Sequence, residues 1–448
     1  MIDWLKLVAG FLTAALMLMP AAPAGAVSRF HVYYPVYLQS GSFVVPVEFL
    51  SPPVAAPARA ALERLIAGSG VESVLPRMIP TDTEILGLNI RDGVCTVDLG
   101  GGIRRLNVGS GGEAAVVAAL VSTLGQFSSV NSVRILVEGQ SESLAGHVDI
   151  TKPIAPDRSW VFRTFSDVEQ HWAGGTVALL QLLDIVNGYE DGTFKPDRTL
   201  TRAEFVKMLV EAIDIPNALN QNVPFQDIEG HWVAQYVKRA VASGLFSVDD
   251  YGPQFRPDET IAREEMAWLA VRASDAYRGA HSGAQPTGHS NPISFRDASQ
   301  ITLKYFQWVQ EAVKRGLLLG YPDGSFRPAS GLTRAEASTV VARVLGISGK
   351  NVLVLAPRPG VTWQGGDLVV LGAAAAFEGT VNFRLKDESG GVLLESYTTS
   401  TNGTGWGVFG FAVRQELFGS RKPAQLQLYL VSPKYGSEYS TVTVALGD

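Results

Sequence analysis

The 448 residues carry 37 Lys and Arg against 43 Asp and Glu, a net charge of −6, with 46% hydrophobic and 18% charged residues. A mildly acidic chain without a basic block lacks the electrostatic footprint of a nucleic-acid binder and argues against that partner. Its single cysteine, Cys95, rules out an intramolecular disulfide and a Cys-rich metal site.

At ~150 residues per domain the length predicts about three domains. The N-terminus reads as an export signal over residues 1–26. Lys6 precedes an apolar run at 7–19, followed by Pro20, Pro23 and the small triplet Ala24-Gly25-Ala26. The run is short of the ~20 residues a bilayer span needs, and no later stretch supplies one. The expectation is a protein exported beyond the cytoplasmic membrane, with no membrane span once the signal is removed.

Residues 27–155 mix strands and helices. The runs 30–38 and 43–49 are β-rich. Residues 57–67 form an amphipathic helix ended by Gly68. Strands at 85–90 and 94–99 flank Arg91-Asp92-Gly93, a hairpin turn signal. A helix at 113–127 and a strand at 133–137 complete the order β-β-α-β-β-α-β. Asp82, Asp92 and Asp98 read as turn and cap residues, not as a carboxylate cluster. Cys95 reads as a buried small hydrophobe.

This block resembles the GerMN domain of sporulation and spore-germination proteins. The resemblance rests on Val45-Pro46-Val47, Leu62-Glu63-Arg64-Leu65-Ile66-Ala67-Gly68, Ile79-Pro80-Thr81-Asp82-Thr83, Asp92-Gly93-Val94 and Thr123-Leu124-Gly125-Gln126-Phe127. These motifs are structural and bring no catalytic residue with them.

The middle block repeats one grammar three times, at 162–215, 222–278 and 293–347. Each copy has Phe-x-Asp, a helix, an Asp/Gly turn, Phe-Lys/Arg-Pro, and a second helix opened by an arginine. The copies start at Phe165, Phe225 and Phe295, and their arginines, Arg202, Arg263 and Arg334, follow after 37, 38 and 39 residues. Such constancy marks a repeated supersecondary unit. The first helices carry the stripes Ala173, Val177, Leu180; Val233, Val237, Ala240; and Tyr305, Val309, Ala312. The second helices show Phe205 and Leu209, Met266 and Ala270, and Ala337 and Val341. One hairpin cannot bury two such faces alone, so the units are expected to stack.

Thr201-Arg202-Ala203-Glu204 and Thr333-Arg334-Ala335-Glu336 spell capping boxes, with Thr201 and Thr333 paired to Glu204 and Glu336. A cation at the positive end of a helix works against the dipole. Two readings follow for Arg202 and Arg334: with the exposed amides they hold an external carboxylate or phosphate, or they are solvated or paired with an acid of the repeat. Repeat two has Ala262-Arg263-Glu264-Glu265, without the hydroxyl and with an extra acid, so an anion site at Arg263 is expected to be weaker.

These repeats resemble surface layer homology (SLH) domains. The resemblance rests on Phe165-Ser166-Asp167, His171-Trp172, Gly188-Tyr189-Glu190-Asp191-Gly192, Gly320-Tyr321-Pro322-Asp323-Gly324 and the Thr-Arg-Ala-Glu motifs. It implies a pseudo-threefold, all-α arrangement whose grooves bind a secondary cell-wall polysaccharide, often bearing ketal-linked pyruvate. It also implies that the arginines of the motif, Arg202, Arg334 and Arg263, face the wall polymer, with Gly188-Tyr189 and Gly320-Tyr321 as further contacts; Trp172 and Trp232 read either as stacking on sugar faces or as packing at the helix start. Repeat two departs from the turn motif with Asp249-Asp250-Tyr251-Gly252-Pro253, and repeat three has Leu303-Lys304 in place of His-Trp. Asp191 and Asp323 lack EF-hand spacing and read as turn residues, so no metal or cofactor is expected. Residues 279–292, Gly/Ser/Pro-rich and containing His281 and His289, read as a flexible insertion.

Residues 351–448 alternate apolar and polar at 381–386, 425–430 and 442–444, the signature of half-buried antiparallel strands. About seven short strands predict a sandwich, with Phe377 and Trp406 as core residues. The segment resembles the Ig-like domain of bacterial spore-germination proteins through Pro357-Arg358-Pro359-Gly360, the run 371–381, and Trp406-Gly407-Val408-Phe409. The fold expected overall is multidomain α+β: a small α/β GerMN-like domain, an all-α three-repeat domain and a C-terminal β-sandwich.

No nucleophile elbow, HExxH or phosphate loop is present. The expected function is non-catalytic: an exported envelope protein anchored to the wall by its repeats, with the flanking domains contacting envelope or spore proteins. A wall-modifying enzyme targeted by the repeats and an S-layer lattice component stay open as alternatives.

Overall fold

The computed structural model describes residues 27–217, 223–280, 295–358, 363 and 365–447. The expected export signal and most of the 279–292 insertion, with His281 and His289, lie outside them.

The chain opens with a hairpin, β1 (Ser28–Leu38) and β2 (Gly41–Ser51), followed by α1 (Pro57–Ala67), β3 (Ile85–Arg91), β4 (Val94–Leu99), α2 (Ser110–Gly125) and β5 (Ser132–Val137). This is the element order read from the sequence. Asp92 and Gly93 both take positive φ, 51° and 77°, the type I′ geometry that suits the twist of a two-residue hairpin. Strands β3, β4 and β5 form one sheet, with β4 and β5 parallel.

The β1–β2 hairpin does not join that sheet. The C-terminal block has seven described strands: β6 (Val352–Ala356), β7 (Asp367–Ala375), β8 (Thr380–Lys386), β9 (Val392–Thr399), β10 (Trp406–Arg414), β11 (Gln425–Val431) and β12 (Glu438–Ala445). Strand β2 runs parallel to β10, with Glu48 opposite Phe411 and Leu50 opposite Val413. The result is a five-stranded sheet β1-β2-β10-β7-β6 facing a four-stranded sheet β12-β11-β8-β9. Phe383 and Phe411 stack between them with centroids 4.0 Å apart. The physical reason lies in β2, which is buried on both faces toward its C-terminal end. Val47 and Phe49 pack on the helical side and Leu50 in the sandwich core. A two-sided apolar strand needs neighbours above and below, and each block supplies one.

The repeats form α3 (Gly174–Leu182) and α4 (Arg202–Ala212), α5 (Ala234–Ala242) and α6 (Arg263–Ala280), and α7 (Phe306–Lys314) and α8 (Arg334–Val344). The apolar stripes are buried as expected, with Tyr305 only partly covered. The all-α expectation needs correction at the centre. The segments entering α4, α6 and α8 meet through three antiparallel β-bridges: Thr199 with Thr333, Thr201 with Thr260, and Ala262 with Gly331. Each repeat touches both others there, so the units close into a ring instead of stacking in a line.

Repeat one also makes contact with both flanking blocks. Gly174 and Gly175 lie against the Trp406 ring, where an added Cβ would stand 2.7 and 2.3 Å away. The Trp406 amide donates to the Glu169 carbonyl at 2.7 Å. On the other side, the Gln39 amide donates to Asp184 at 2.9 Å. Trp406 is therefore a core residue. Phe377 is not: it is 58% exposed, because β7 ends at Ala375 and the chain turns outward with Glu378 at φ 52°.

Candidate functional site

The repeat grammar has a mechanical explanation. The aspartate of Phe-x-Asp accepts two consecutive amides of Phe-Lys/Arg-Pro. Asp167 accepts from Phe194 and Lys195 at 2.8 Å each, Asp227 from Phe255 and Arg256 at 2.9 and 2.6 Å, and Asp297 from Phe326 and Arg327 at 2.9 and 2.8 Å. Lys195, Arg256 and Arg327 all sit at positive φ (56°, 55° and 59°), a costly conformation for a side chain with a Cβ. The paired hydrogen bonds hold it. The phenylalanines of the two motifs lie ring against ring, 5.6, 5.7 and 5.2 Å apart in the three repeats. Gly188 and Gly320 have a packing reason: a Cβ would stand 2.4 and 2.5 Å from Phe165 and Phe295. Asp191 and Asp323 cap their turns, accepting the Thr193 and Ser325 amides at 3.0 Å.

These turns build three grooves, each receiving the arginine of another repeat. In the first, Arg334 of repeat three enters the repeat-one turn. Its Nε donates to the Phe194 carbonyl at 2.8 Å and its Nη2 to the Asn187 carbonyl at 3.0 Å, with Tyr189 5.3 Å away. In the second, Arg202 enters the repeat-two turn. It donates to the Phe255 and Arg256 carbonyls at 3.0 and 2.6 Å, and lies 5.4 Å from Tyr251. In the third, Arg263 reaches the Leu319 carbonyl, and the Tyr321 hydroxyl at 3.3 Å. Tyr251 thus fills the place of Tyr189 and Tyr321 although repeat two lacks their turn motif.

Both capping boxes form. Thr201 and Thr333 accept the N3 amides, and Glu204 and Glu336 accept the N-cap amides. The remaining first-turn amides are not exposed. Arg202 and Ala203 donate to the carbonyls of Glu259 and Pro257, Arg263 and Glu264 to those of Ser330 and Pro328, and Arg334 and Ala335 to those of Arg198 and Pro196. The expected contribution of free helix amides to an anion site is therefore corrected: neighbouring turns consume them.

The three arginines also differ in their internal partners. Arg202 is buried and paired to Glu265 by a two-pronged contact, Nε to Oε1 at 2.6 Å and Nη2 to Oε2 at 3.0 Å. Repeat two has alanine at the N-cap, and its N3 glutamate reaches the arginine. In repeats one and three that glutamate holds the capping box and stands farther off, Glu204 at 3.8 Å from Arg334 and Glu336 at 3.9 Å from Arg263. Electrostatics follow the geometry. Burial pulls the pKa of all three guanidinium groups down. Glu265 outweighs this at Arg202, which ends above its ordinary value, whereas Arg263 and Arg334 remain below theirs. The N3 glutamate of repeat two neutralises Arg202, the neighbour's arginine, while the extra acid, Glu264, accepts the amide and hydroxyl of Thr302 at 2.8 and 2.7 Å.

Trp172 and Trp232 are 59% and 49% exposed. His171 and His231 approach Asp197 and Asp258 at 3.6 and 3.3 Å, and each histidine ring lies against the tryptophan that follows it, with centroids 5.3 and 5.4 Å apart. In repeat three, Leu303 is exposed and Lys304 turns toward repeat two, donating to the Asp250 carbonyl at 2.6 Å.

Sequence reasoning missed Arg198. Its Nη1 donates to the Tyr189 hydroxyl at 2.8 Å and to Glu204 at 2.7 Å, which puts a second guanidinium into the first groove. Its signal was available as the position four residues after the repeat phenylalanine, which reads Arg198, Glu259 and Ser330 in the three copies.

Cys95 is buried mid-strand, and burial raises its thiol pKa to about 11. Among the described residues, no helix is long and apolar enough to cross a membrane, and no group of three or more His, Cys, Asp or Glu is placed to hold a metal ion.

Comparison with known proteins matches three family models. Residues 31–143 match "Sporulation and spore germination" (Germane). Residues 164–206, 224–267 and 294–338 match "S-layer homology domain". Residues 351–437 match "Immunoglobulin-like domain of bacterial spore germination". An exoglucanase XynX of Acetivibrio thermocellus is 32% identical over 186 residues, covering 41% of this chain and 16% of that protein. A cellulosome-anchoring protein of Acetivibrio thermocellus is 35% identical over 138 residues, 30% of each chain. This chain therefore spans under a third of the length of either relative. The tandem GerMN domains of the sporulation protein GerM from Bacillus subtilis are 22% identical, covering 33% of this chain and 51% of that one, with a TM-score of 0.27. By these matches the chain carries a GerMN domain of the sporulation and spore-germination type, three S-layer homology repeats and a spore-germination Ig-like domain.

Proposed function

We propose that this protein is a cell-surface anchor and scaffold. Its three repeats grip an anionic secondary wall polysaccharide without a covalent bond, and its GerMN and Ig-like domains present contact surfaces to envelope or spore proteins. The observation that carries this reading is the closed ring of three repeats, each matched by the S-layer homology model. The ring exposes Trp172 and Trp232, and its turns hold buried guanidinium groups. An indole face suits a sugar ring, and a guanidinium suits a carboxylate or phosphate. The relative named for cellulosome anchoring is consistent with the same role. The protein binds in this reading and performs no bond-breaking step.

Cosedimentation of the full chain with purified Gram-positive walls tests it. The chain is expected to pellet with intact walls and to stay in the supernatant with walls stripped of secondary polysaccharide. Equal retention on both would overturn the ligand assignment, and release of sugars or peptides from the walls would overturn the scaffold role.

A further inference from the structure

The three sheets end in six edge strands, and an open edge is a row of free N–H and C=O groups that invites another strand. Five of the six are covered or interrupted. At β1, Thr123 accepts the Tyr33 amide at 3.0 Å, and Gln126 accepts the His31 amide at 2.7 Å and donates to the His31 carbonyl at 2.5 Å. At β5, Val133 and Ile154 exchange two hydrogen bonds of 2.8 Å. At β9, Arg29 donates to the Tyr397 carbonyl at 3.4 Å. Strand β6 has five residues and runs into Pro357. Strand β12 is interrupted by a register shift against β11 and by Ser440 at φ 51°.

Strand β3 is the exception. Among the described residues, no hydrogen bond from a side chain or another segment reaches its outer edge. The two-residue turn Asp92-Gly93 fixes which groups are free. It makes Arg91 and Val94 a hydrogen-bonded pair, and alternation makes Asn89 and Thr96 the next. Leu88 and Ile90 therefore turn their amides and carbonyls away from β4. The strand reads Ile85-Leu86-Gly87-Leu88-Asn89-Ile90-Arg91, without proline or lysine and with its one charge at the end. Leu86 and Ile90 are 52% and 38% exposed. An edge of this kind is what protected strands avoid.

We infer that the edge of β3 is a pairing surface, and that its occupant is β3 of a second copy of this chain, antiparallel about a twofold axis at Leu88. The strand is complementary to itself in that register. Leu88 lies opposite Leu88 of the partner subunit as a hydrogen-bonded pair, and Ile90 lies opposite Leu86 of the partner subunit, twice by symmetry. Arg91 falls opposite Ile85 of the partner subunit, so no like charges meet within the ladder. The axis is perpendicular to the sheet, so the core-facing sides of both copies stay on one side, and β3-β4-β5 becomes half of a continuous six-stranded sheet.

Seven residues on each side bury less than the ~1,200 Å² of a stable interface, so the dimer is weak in dilute solution. Tethering raises effective concentration to about 1 mM, which favours pairing between neighbouring chains on one surface. That last point rests on the anchoring reading above; the pairing itself does not.

Sedimentation velocity of the full chain, without walls and at concentrations up to about 1 mM, tests the inference. The wild type is expected to pass from one copy toward two as concentration rises, and no further. Ile90→Lys places a charge on the edge, and Leu88→Pro removes an outward amide while leaving the β3–β4 ladder its hydrogen bonds. Each is expected to weaken association at least tenfold, with thermal unfolding showing that the variants fold. Leu88→Cys should oxidise to a disulfide-linked dimer, since a hydrogen-bonded pair sets its Cα atoms ~5.5 Å apart. Ser389→Cys, exposed at the β8–β9 turn, should not. A wild type that stays monomeric throughout, or association that Ile90→Lys and Leu88→Pro leave unchanged, would overturn the inference and spare the anchoring reading. Growth beyond two copies would overturn the twofold pairing, and a Leu88→Cys chain that forms no disulfide would overturn the register.

Discussion

Glu265 of the second repeat grips Arg202 of the first through two hydrogen bonds of 2.6 and 3.0 Å, and Tyr251 donates its hydroxyl to the same carboxylate at 2.7 Å. This pair is the tightest of the three that join an inserted arginine to an N3 glutamate. It forms where the N-cap hydroxyl is missing, since alanine stands at position 262.

Removing one partner of that pair strands a buried charge. Arg202→Ala is expected to lower stability by about 3–5 kcal/mol, and Arg202→Met with Glu265→Leu to lower it much less, since no charge is then left unpaired. Chemical denaturation followed by tryptophan fluorescence checks the ordering. A double variant no more stable than Arg202→Ala would show that the pair is not what holds repeats one and two together.

Gly188 packs edge-on to Phe165, so Gly188→Ala forces a methyl group to within 2.4 Å of its ring. The cost expected is about 1–3 kcal/mol by overpacking, read as a fall in thermal midpoint. Gly192, where an added Cβ meets nothing, also takes positive φ, and its substitution costs only the backbone strain, about 1 kcal/mol.

Asp297 titrates below its ordinary value. Burial raises its pKa, and the hydrogen bonds from the Phe326 and Arg327 amides more than reverse this. A depressed carboxylate stabilises the fold above its unfolded pKa, and that contribution is lost as pH falls through the folded value. Asp297→Ala should therefore be destabilised by about 1–3 kcal/mol at pH 7, with the gap to wild type closing below the normal aspartate range. A gap unchanged down to acid pH would contradict the charged-acceptor role.

The C-terminal sandwich depends on the N-terminal hairpin. A fragment of residues 351–447 leaves the β10 edge unpaired and removes Leu50 from the sandwich core. It should melt well below the full chain and regain stability when a peptide of residues 27–53 is added. A fragment as stable as the full chain would show that the shared sheet contributes nothing.

Local grammar carried much of this architecture. The Asp92-Gly93 hairpin, the buried stripes of the repeat helices and both capping boxes all depend on residues within a few positions of one another. Relationships between distant segments were harder to read. Nothing local to Leu50 announces its pairing with Val413, and nothing near Arg202 announces Glu265, 63 residues on. Glu113 is the first residue of the helix expected at 113–127. It is buried and accepts the amides of Leu144, Ala145 and His147 at 3.0, 2.8 and 2.8 Å, organising a loop some thirty residues away. Phe377 was expected in the core, and the turn at Glu378 sends it outward. The unequal arginines were hidden for the same reason: each one's partner is on another repeat.

The central claim is that the ring of repeats holds an acidic substituent of a wall glycan. The most direct measurement is the dissociation constant of the full chain for untreated walls and for the same walls after mild acid has hydrolysed their pyruvate ketals. At least a tenfold loss of affinity on treatment is predicted. Equal affinity for both preparations would contradict it.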